Sequence, residues 1–238
     1  MTYCLGIKVK SGLVALADTC ITSGTRTTTS RKITTHQIGK NSLFIMTSGL
    51  RSVRDKAVTY FEEAISQETF QYDKMYKAVN AFGAQLRRVA DEDKSALAQS
   101  GLFFNLHSIV GGQLEGDSTH KLFLLYPEGN WIEIGEATPF TIIGNTGYGQ
   151  PILNRAITYQ SDLKFALKTG FLSFDSTRVS ANDVEYPIDV VIYKEGSYKM
   201  VEQRFTHEEL KDLAVTWAQK LRENVENLND DWMDKLDI

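Results

Sequence analysis

The sequence predicts an α+β fold, a four-layer αββα sandwich in which two stacked antiparallel sheets carry helices on both outer sides. Two observations predict it. Strand patterns precede two consecutive helical stretches, and further strand patterns then precede two more. At each change the apolar period switches between about two residues and about 3.6 residues. A layered sandwich is the simplest way to bury the apolar faces of so many strands and helices.

The first predicted element is a β-hairpin. Residues 2–9 have a strand pattern, Ser11-Gly12 is a turn signal, and residues 13–17 are apolar at every position. A strand that is apolar on both faces is typically covered on both sides. A polar tract, residues 22–30, follows this hairpin, and no regular element is predicted within the tract.

The remaining elements follow from the same two periods. A strand at 43–46 runs through Thr47-Ser48-Gly49 into a helix. The predicted segments after it are helices over 53–64 and 75–89, a strand meander over 103–110, 122–126, 131–134 and 140–143, helices over 152–159 and 163–172, and a hairpin of 188–193 with 198–205. A last helix begins after Thr206 with a capping-box pattern. Its apolar stripe from Leu210 to Leu228 fits either a core face or a subunit contact, and Trp232 and Met233 beyond it fit docking on a neighbouring subunit.

Composition excludes several classes of function. The net charge of -4 gives no basic field for nucleic acid, and no stretch is long and apolar enough to cross a membrane. We see no secretory signal, so we expect a cytoplasmic protein. Four scattered histidines and two cysteines predict neither a metal site nor a cofactor. Because composition does not shift along the chain, we expect a single domain over residues 1–238.

Thr2 is the first candidate catalytic residue. Removal of Met1, which is usual before a small residue, would leave Thr2 with a free α-amine. A threonine hydroxyl is a poor nucleophile unless a base lies beside it, and the terminal amine is such a base. Its ordinary pKa is about 7.7–8.0, so part of it is unprotonated near neutral pH and can accept a proton. Thr2 can therefore act as both nucleophile and base without a histidine.

Three further residues fit an acyl-transfer site around Thr2. Asp18 ends the buried first hairpin, where an acid needs a partner or a purpose. Lys32 follows a segment long enough to return beside that hairpin, and its ammonium would favour the alkoxide and keep the amine neutral. Gly49 lies at a strand-to-helix junction, where a backbone N–H can approach an oxyanion. Taken singly, Asp18 also fits a turn residue, Lys32 a solvated surface charge and Gly49 an ordinary turn glycine.

The order of these residues resembles the proteasome β-subunits and the bacterial protease HslV. Thr2 leads into a strand, Asp18 ends the next strand, Lys32 follows a Thr/Ser-rich loop and Gly49 precedes a helix. Three stretches resemble the bacterial proteasome-related group Anbu more closely: MTYCLG at 1–6, GNTGYGQPIL at 144–153 and FDST at 174–177.

This resemblance implies an N-terminal-nucleophile (Ntn) hydrolase fold and a homo-oligomeric ring or spiral that encloses its active sites. It implies threonine-dependent hydrolysis of peptide or unfolded-protein substrates, with Thr2 as nucleophile and base. Asp18 and Lys32 would be the supporting ion pair, and Gly49 an oxyanion donor. Whether an unfoldase serves as a partner is left open. Residues near Ile21, Thr47 and Arg51 would line a side-chain pocket.

The sequence also departs from the proteasome pattern. Asn145 stands where a serine follows the glycine of a Gly-Ser-Gly turn, and residues 180–185 replace an Asp-x-x-Ser-Gly motif. Asn145, Ser180 and Asp183 are candidates for other polar contacts around the amine. Cys4 shares a strand face with Thr2, but core packing is its expected role because a cysteine nucleophile would need cleavage just before it.

Two other functions fit the same pattern. One is an amidase that acts on a small molecule through the same chemistry. The other is a non-catalytic ring scaffold like the proteasome α-subunits. Those subunits have an N-terminal extension before the first strand, whereas here we expect the chain to begin at the nucleophile. The presence of Asp18 and Lys32 also favours catalysis over the scaffold.

Overall fold

The apolar strand patterns form two five-stranded antiparallel sheets. The computed structural model describes residues 2–23, 26–66 and 72–236. The strands are β1 Tyr3–Val9, β2 Gly12–Asp18, β3 Cys20–Ser23, β4 Arg26–Thr29, β5 Ile33–Ile38, β6 Asn41–Gly49, β7 Leu106–Gln113, β8 Lys121–Leu125, β9 Trp131–Glu133, β10 Phe140–Gly144, β11 Ile188–Lys194 and β12 Met200–Phe205. Their order is β10-β1-β2-β11-β12 in the first sheet and β5-β6-β7-β8-β9 in the second, with β3-β4 as a separate pair.

The chain forms two compact units, one ending at Phe205 and the other beginning at Thr206. The helices of the first unit are α1 Arg51–Ser66, α2 Met75–Gln99, α3 Gln150–Ala156 and α4 Leu163–Arg178, and the second unit contains α5 His207–Glu226 and a 3-10 helix, Asp231–Lys235. Among the residues that the structure describes, no helix is long and apolar enough to cross a membrane.

The first unit is the αββα sandwich that the sequence predicts. One core cluster lies between the sheets and joins side chains such as Leu13 and Val191 of the first sheet to Phe44 and Ile109 of the second. A second cluster joins the outer face of the second sheet to α1 and α2. On the other side α4 covers the first sheet so closely that a Cβ at Gly170 would lie 2.8 Å from Leu16. Every position of β1 and β2 is consequently buried.

Two segments differ from the sequence prediction. The polar tract after β2 is not irregular, because it contributes the hairpin of β3 and β4, in which Ile21 pairs with Thr28. Polar strands lack the apolar alternation by which strands are found. Helix α3 ends at Ala156, earlier than predicted, while α4 continues to Arg178. The carboxylate of Asp162 accepts from the backbone N–H of Phe165 at 2.7 Å and so fixes the start of α4.

The second unit begins with the predicted capping box. The hydroxyl of Thr206 accepts from the backbone at the third helical position, and the carboxylate of Glu209 accepts from the Thr206 N–H at 2.8 Å. No described side chain of α5 is buried in the single chain. The exposed apolar residues of this unit include Val215, Leu221, Val225, Leu228 and Trp232. Within the second unit, the apolar stripe is therefore exposed.

Candidate active site

Hydrogen bonds hold both ends of the peptide unit that joins Thr2 to Tyr3. The carbonyl oxygen of Thr2 accepts from the N–H of Asn145 at 2.7 Å, just after β10. The next N–H, that of Tyr3, donates to Oδ1 of Asp18 at 2.8 Å. The phenol of Tyr3 is fully buried and donates to Oγ of Ser173 on α4 at 2.7 Å. These contacts fix the position from which the Thr2 side chain extends.

Asp18 and Lys32 form a buried ion pair one strand away from Thr2. The ammonium of Lys32 lies 2.6 Å from Oδ1 of Asp18 and also donates to the carbonyl of Cys20 at 2.7 Å. The other carboxylate oxygen accepts from the N–H of Cys20 at 3.1 Å. Asp18 is fully buried and Lys32 is 5% exposed. The predicted pair therefore exists.

The environment of the Asp18 carboxylate is shaped by two opposed effects. Burial raises the pKa of Asp18, while the Lys32 ammonium and the N–H groups of Tyr3 and Cys20 act in the opposite direction. Burying a charge is costly unless it is paired and hydrogen-bonded. Asp18 accepts from three donors, so its geometry suits a group that orients Lys32 and the start of β1 rather than one that reacts with substrate.

Gly49 occupies a position that excludes any side chain. It ends β6 with φ of +146°, and a Cβ placed there would lie 1.8 Å from the carbonyl oxygen of Asn105. Only glycine adopts this backbone region freely. Leu50 alone separates Gly49 from the first residue of α1. The predicted strand-to-helix junction is confirmed, and the donor role of the Gly49 N–H remains a prediction.

An open cleft of about 360 Å³ brings these elements together. It is lined by Thr2, Cys20, Ile21, Lys32, Thr47, Ser48, Gly49, Arg51, Arg54, Asn105 and Gly144. Three of the four predicted site residues share this lining, and Asp18 contacts Lys32 from behind it. The residues expected near a side-chain pocket, Ile21, Thr47 and Arg51, line the same cleft. The catalytic roles of these residues remain predictions.

Five lining residues were not predicted from sequence: Cys20, Ser48, Arg54, Asn105 and Gly144. Asn105 precedes β7, which pairs with β6, so only the register of that pair brings it to the cleft. Ser48 and Gly144 lie in stretches that the sequence singles out, although neither was assigned to the site. Arg54 lies three residues after Arg51 on α1, and side chains three apart are neighbours on a helix surface.

The three candidates for polar contacts around the amine, Asn145, Ser180 and Asp183, lie in different places. Asn145 reaches Thr2 through its backbone N–H, as described above. Ser180 and Asp183 follow α4 and are not among the described residues that line the cleft. The described residues also contain no group of three His, Cys, Asp or Glu side chains that could hold a metal ion.

Cys4 packs inside the sandwich. Its side chain is fully buried in the cluster between the sheets, and its Sγ lies 3.8 Å from the carbonyl oxygen of Thr47. Burial raises the pKa of the Cys4 thiol, so the group stays protonated. Core packing, as expected from sequence, describes Cys4 better than nucleophilic chemistry does.

Comparison with protein-family models and with curated proteins finds no match. Comparison with solved structures finds several. A mutant of Anbu from Hyphomicrobium sp. strain MC1 is 31% identical with a TM-score of 0.89, and the match covers 97% of this chain and 99% of that one. Anbu from Yersinia bercovieri, described as an ancestral beta-subunit, is 28% identical with a TM-score of 0.88 over 96% and 98% of the two chains.

A third similar structure is the helical assembly of the Anbu complex from Pseudomonas aeruginosa. It is 27% identical with a TM-score of 0.90 and covers 96% of this chain and 97% of that one. These likenesses extend over nearly the whole length of both chains in each comparison, and they agree with the αββα fold. The chain belongs to the Anbu family of proteasome-related proteins.

Proposed function

We propose that this protein is a threonine-type amide hydrolase that cleaves peptide bonds with Thr2 after Met1 has been removed. The observation that carries the proposal is the Asp18 carboxylate, which binds the Lys32 ammonium at 2.6 Å and the Tyr3 N–H at 2.8 Å. One side chain thereby ties the lysine to the strand that follows Thr2. Its placement supports a function for the pair beyond packing, because a buried ion pair is weak support for stability alone.

In the proposed reaction, Thr2 Oγ1 attacks the carbonyl carbon of a peptide bond while its hydroxyl proton passes to the α-amine of the same residue. The oxyanion is stabilised by the backbone N–H of Gly49. The C–N bond then breaks, the leaving nitrogen takes the proton from the α-amine, and an ester of Thr2 remains. Water attacks this ester and gives the acid product and free Thr2. The Lys32 ammonium favours the neutral form of the amine by like-charge repulsion.

An N-terminal-threonine-directed electrophile tests the proposal. We expect a peptide epoxyketone or β-lactone to add its mass once per chain, and only to chains from which intact mass shows that Met1 is absent. Thr2→Ser should retain the adduct, since it keeps a hydroxyl beside the amine, and Thr2→Ala should lose it. An adduct that persists in Thr2→Ala would show that another residue reacts, and the proposal would fail.

We further propose that copies of the chain assemble into a homo-oligomer. Two observations support this: the Anbu complex of Pseudomonas aeruginosa is described as a helical assembly, and the second unit leaves apolar side chains such as Leu221 and Val225 exposed. Light scattering coupled to size exclusion would give the mass in solution. Leu221→Glu with Val225→Glu should lower that mass, whereas replacing exposed Lys220 by Glu on the same helix should not.

A further inference from the structure

The cleft beside Thr2 has a lining of one charge sign. Lys32, Arg51 and Arg54 contribute three cations, and the described lining contains no carboxylate. Asp18 neutralises Lys32 from behind, at 2.6 Å. The electrostatic character of the cleft therefore depends on the two arginines, which lie in the first turn of α1.

One carboxylate serves both arginines. Oδ2 of Asp55 lies 3.3 Å from Nε of Arg51, and Oδ1 of Asp55 lies 2.6 Å from a terminal nitrogen of Arg54. Arg54 also donates to the carbonyl of Arg31 at 3.2 Å, and its side chain is only 16% exposed. Arg51 makes a single contact to Asp55 and is 60% exposed. Two positive charges thus share one negative charge, and the guanidinium of Arg51 keeps donors available to a ligand.

A second observation indicates a polar ligand. Thr47 lines the cleft and is 4% exposed, yet its hydroxyl Oγ1 has no hydrogen-bond partner among the described residues. A buried hydroxyl without a partner carries a desolvation cost. A polar group that reached this hydroxyl would satisfy it, whereas an aliphatic side chain would leave it unsatisfied.

We propose that the cleft selects substrates with an acidic side chain on the residue whose carbonyl Thr2 attacks. This inference rests on the proposed function. Arg51 is the specificity-determining residue, because its guanidinium accounts for the uncompensated charge. The Thr47 hydroxyl donates to the same carboxylate. Attraction between opposite charges across a binding site sets partner choice more than overall affinity.

A neighbouring cavity of about 290 Å³ is an alternative place for the substrate side chain. It shares Lys32, Thr47 and Arg54 with the cleft, and Asp55 and Glu62 also line it. A basic substrate side chain that passed through the cleft would meet these two carboxylates beside the cations of Arg31, Lys32 and Arg54. Selection of lysine over aspartate is therefore the opposite outcome, and it would place the substrate side chain in the neighbouring cavity.

Binding to Thr2→Ala separates specificity from chemistry. Fluorescence anisotropy would be measured with dye-labelled, C-terminally amidated tetrapeptides that differ only in the last residue, namely Asp, Asn, Glu, Gln, Leu or Lys. We expect Asp to bind about two- to fivefold more tightly than Asn, and Glu than Gln, which is the ratio that an exposed ion pair provides. Arg51→Ala should bring both ratios close to one, and Arg51→Lys should keep them above one.

The control variant is Lys94→Ala, which removes one exposed cation from α2 outside the cleft. It should leave both ratios unchanged. Equal affinities for all peptides, no binding by any peptide, or a preference for lysine would overturn the inference. Failure of the proposed function would give a different result. The unsubstituted chain would be treated with peptide epoxyketones that carry the same series of last residues. If Thr2 is not a nucleophile, none of them would modify it, even if acidic peptides bind to the cleft.

Discussion

The candidate active site contains two ion-pair groups that differ in burial and in what they leave free. Asp18 and Lys32 are almost completely buried, and Asp18 binds one cation and two backbone N–H groups. Asp55 is half exposed and binds two arginines. The first group has no unused charge and fixes geometry, whereas the second has one positive charge in excess and faces the cleft. The buried group therefore suits the positioning role proposed above, and the exposed group suits the proposed recognition of substrate.

The largest expected effect comes from breaking the buried pair. Lys32→Met would leave the Asp18 carboxylate buried without its cation, and we expect the free energy of unfolding to fall by about 3–5 kcal/mol. Urea unfolding followed by circular dichroism would measure it. Lys40→Met is the matched control, because Lys40 is 67% exposed and pairs with Glu115 at 3.6 Å. A loss below about 1 kcal/mol for Lys32→Met would contradict this account of the pair.

Removing both charges should cost less than removing one. In Asp18→Asn with Lys32→Met, the asparagine oxygen can still accept from Tyr3 or Cys20, and no buried charge remains. We expect this double variant to lose about 1–3 kcal/mol, the cost of weakened buried hydrogen bonds. The same unfolding experiment, run as a double-mutant cycle, would show strong non-additivity. Additive losses would mean that the two groups act independently.

The exposed group should respond weakly. Asp55→Asn would free both arginines, and we expect a stability change of only about 0.2–1 kcal/mol, as is usual for exposed pairs. Thermal unfolding of this variant beside the unsubstituted chain would measure the difference. A loss as large as that of Lys32→Met would show that Asp55 organises α1 rather than the charge of the cleft.

Salt should affect the two groups differently. Raising ionic strength from about 0.15 M to 1 M shortens the screening length from about 8 Å to 3 Å. The effect of Asp55→Asn should then fall toward zero, because that pair is open to solvent. The cost of Lys32→Met should persist, because bulk ions do not reach a buried pair. Urea unfolding of each variant at both salt concentrations would give these differences, and an equal response of the two variants would contradict the comparison.

The parts of this site that sequence predicted are those with a local signature. Asp18 ends an apolar strand and Gly49 ends another, so strand periodicity placed both, and the αββα layers followed from the alternation of the two periods. Cys20 and Asn105 had no such signature because strand register and sheet pairing bring them to the cleft. The β3 and β4 hairpin was missed for a related reason, since polar side chains give a strand no apolar face to detect.

The backbone at Gly49 has a consequence for how relatives of this chain should be compared. The carbonyl of Asn105 excludes even a methyl group there, whatever reaction the cleft performs. A descendant that had lost all activity would be under the same steric selection and would retain the glycine. Its presence in other sequences is therefore a marker of shared architecture and not of catalysis. If Thr2 is the nucleophile proposed above, loss of function would be visible first at its hydroxyl, which no backbone constraint preserves.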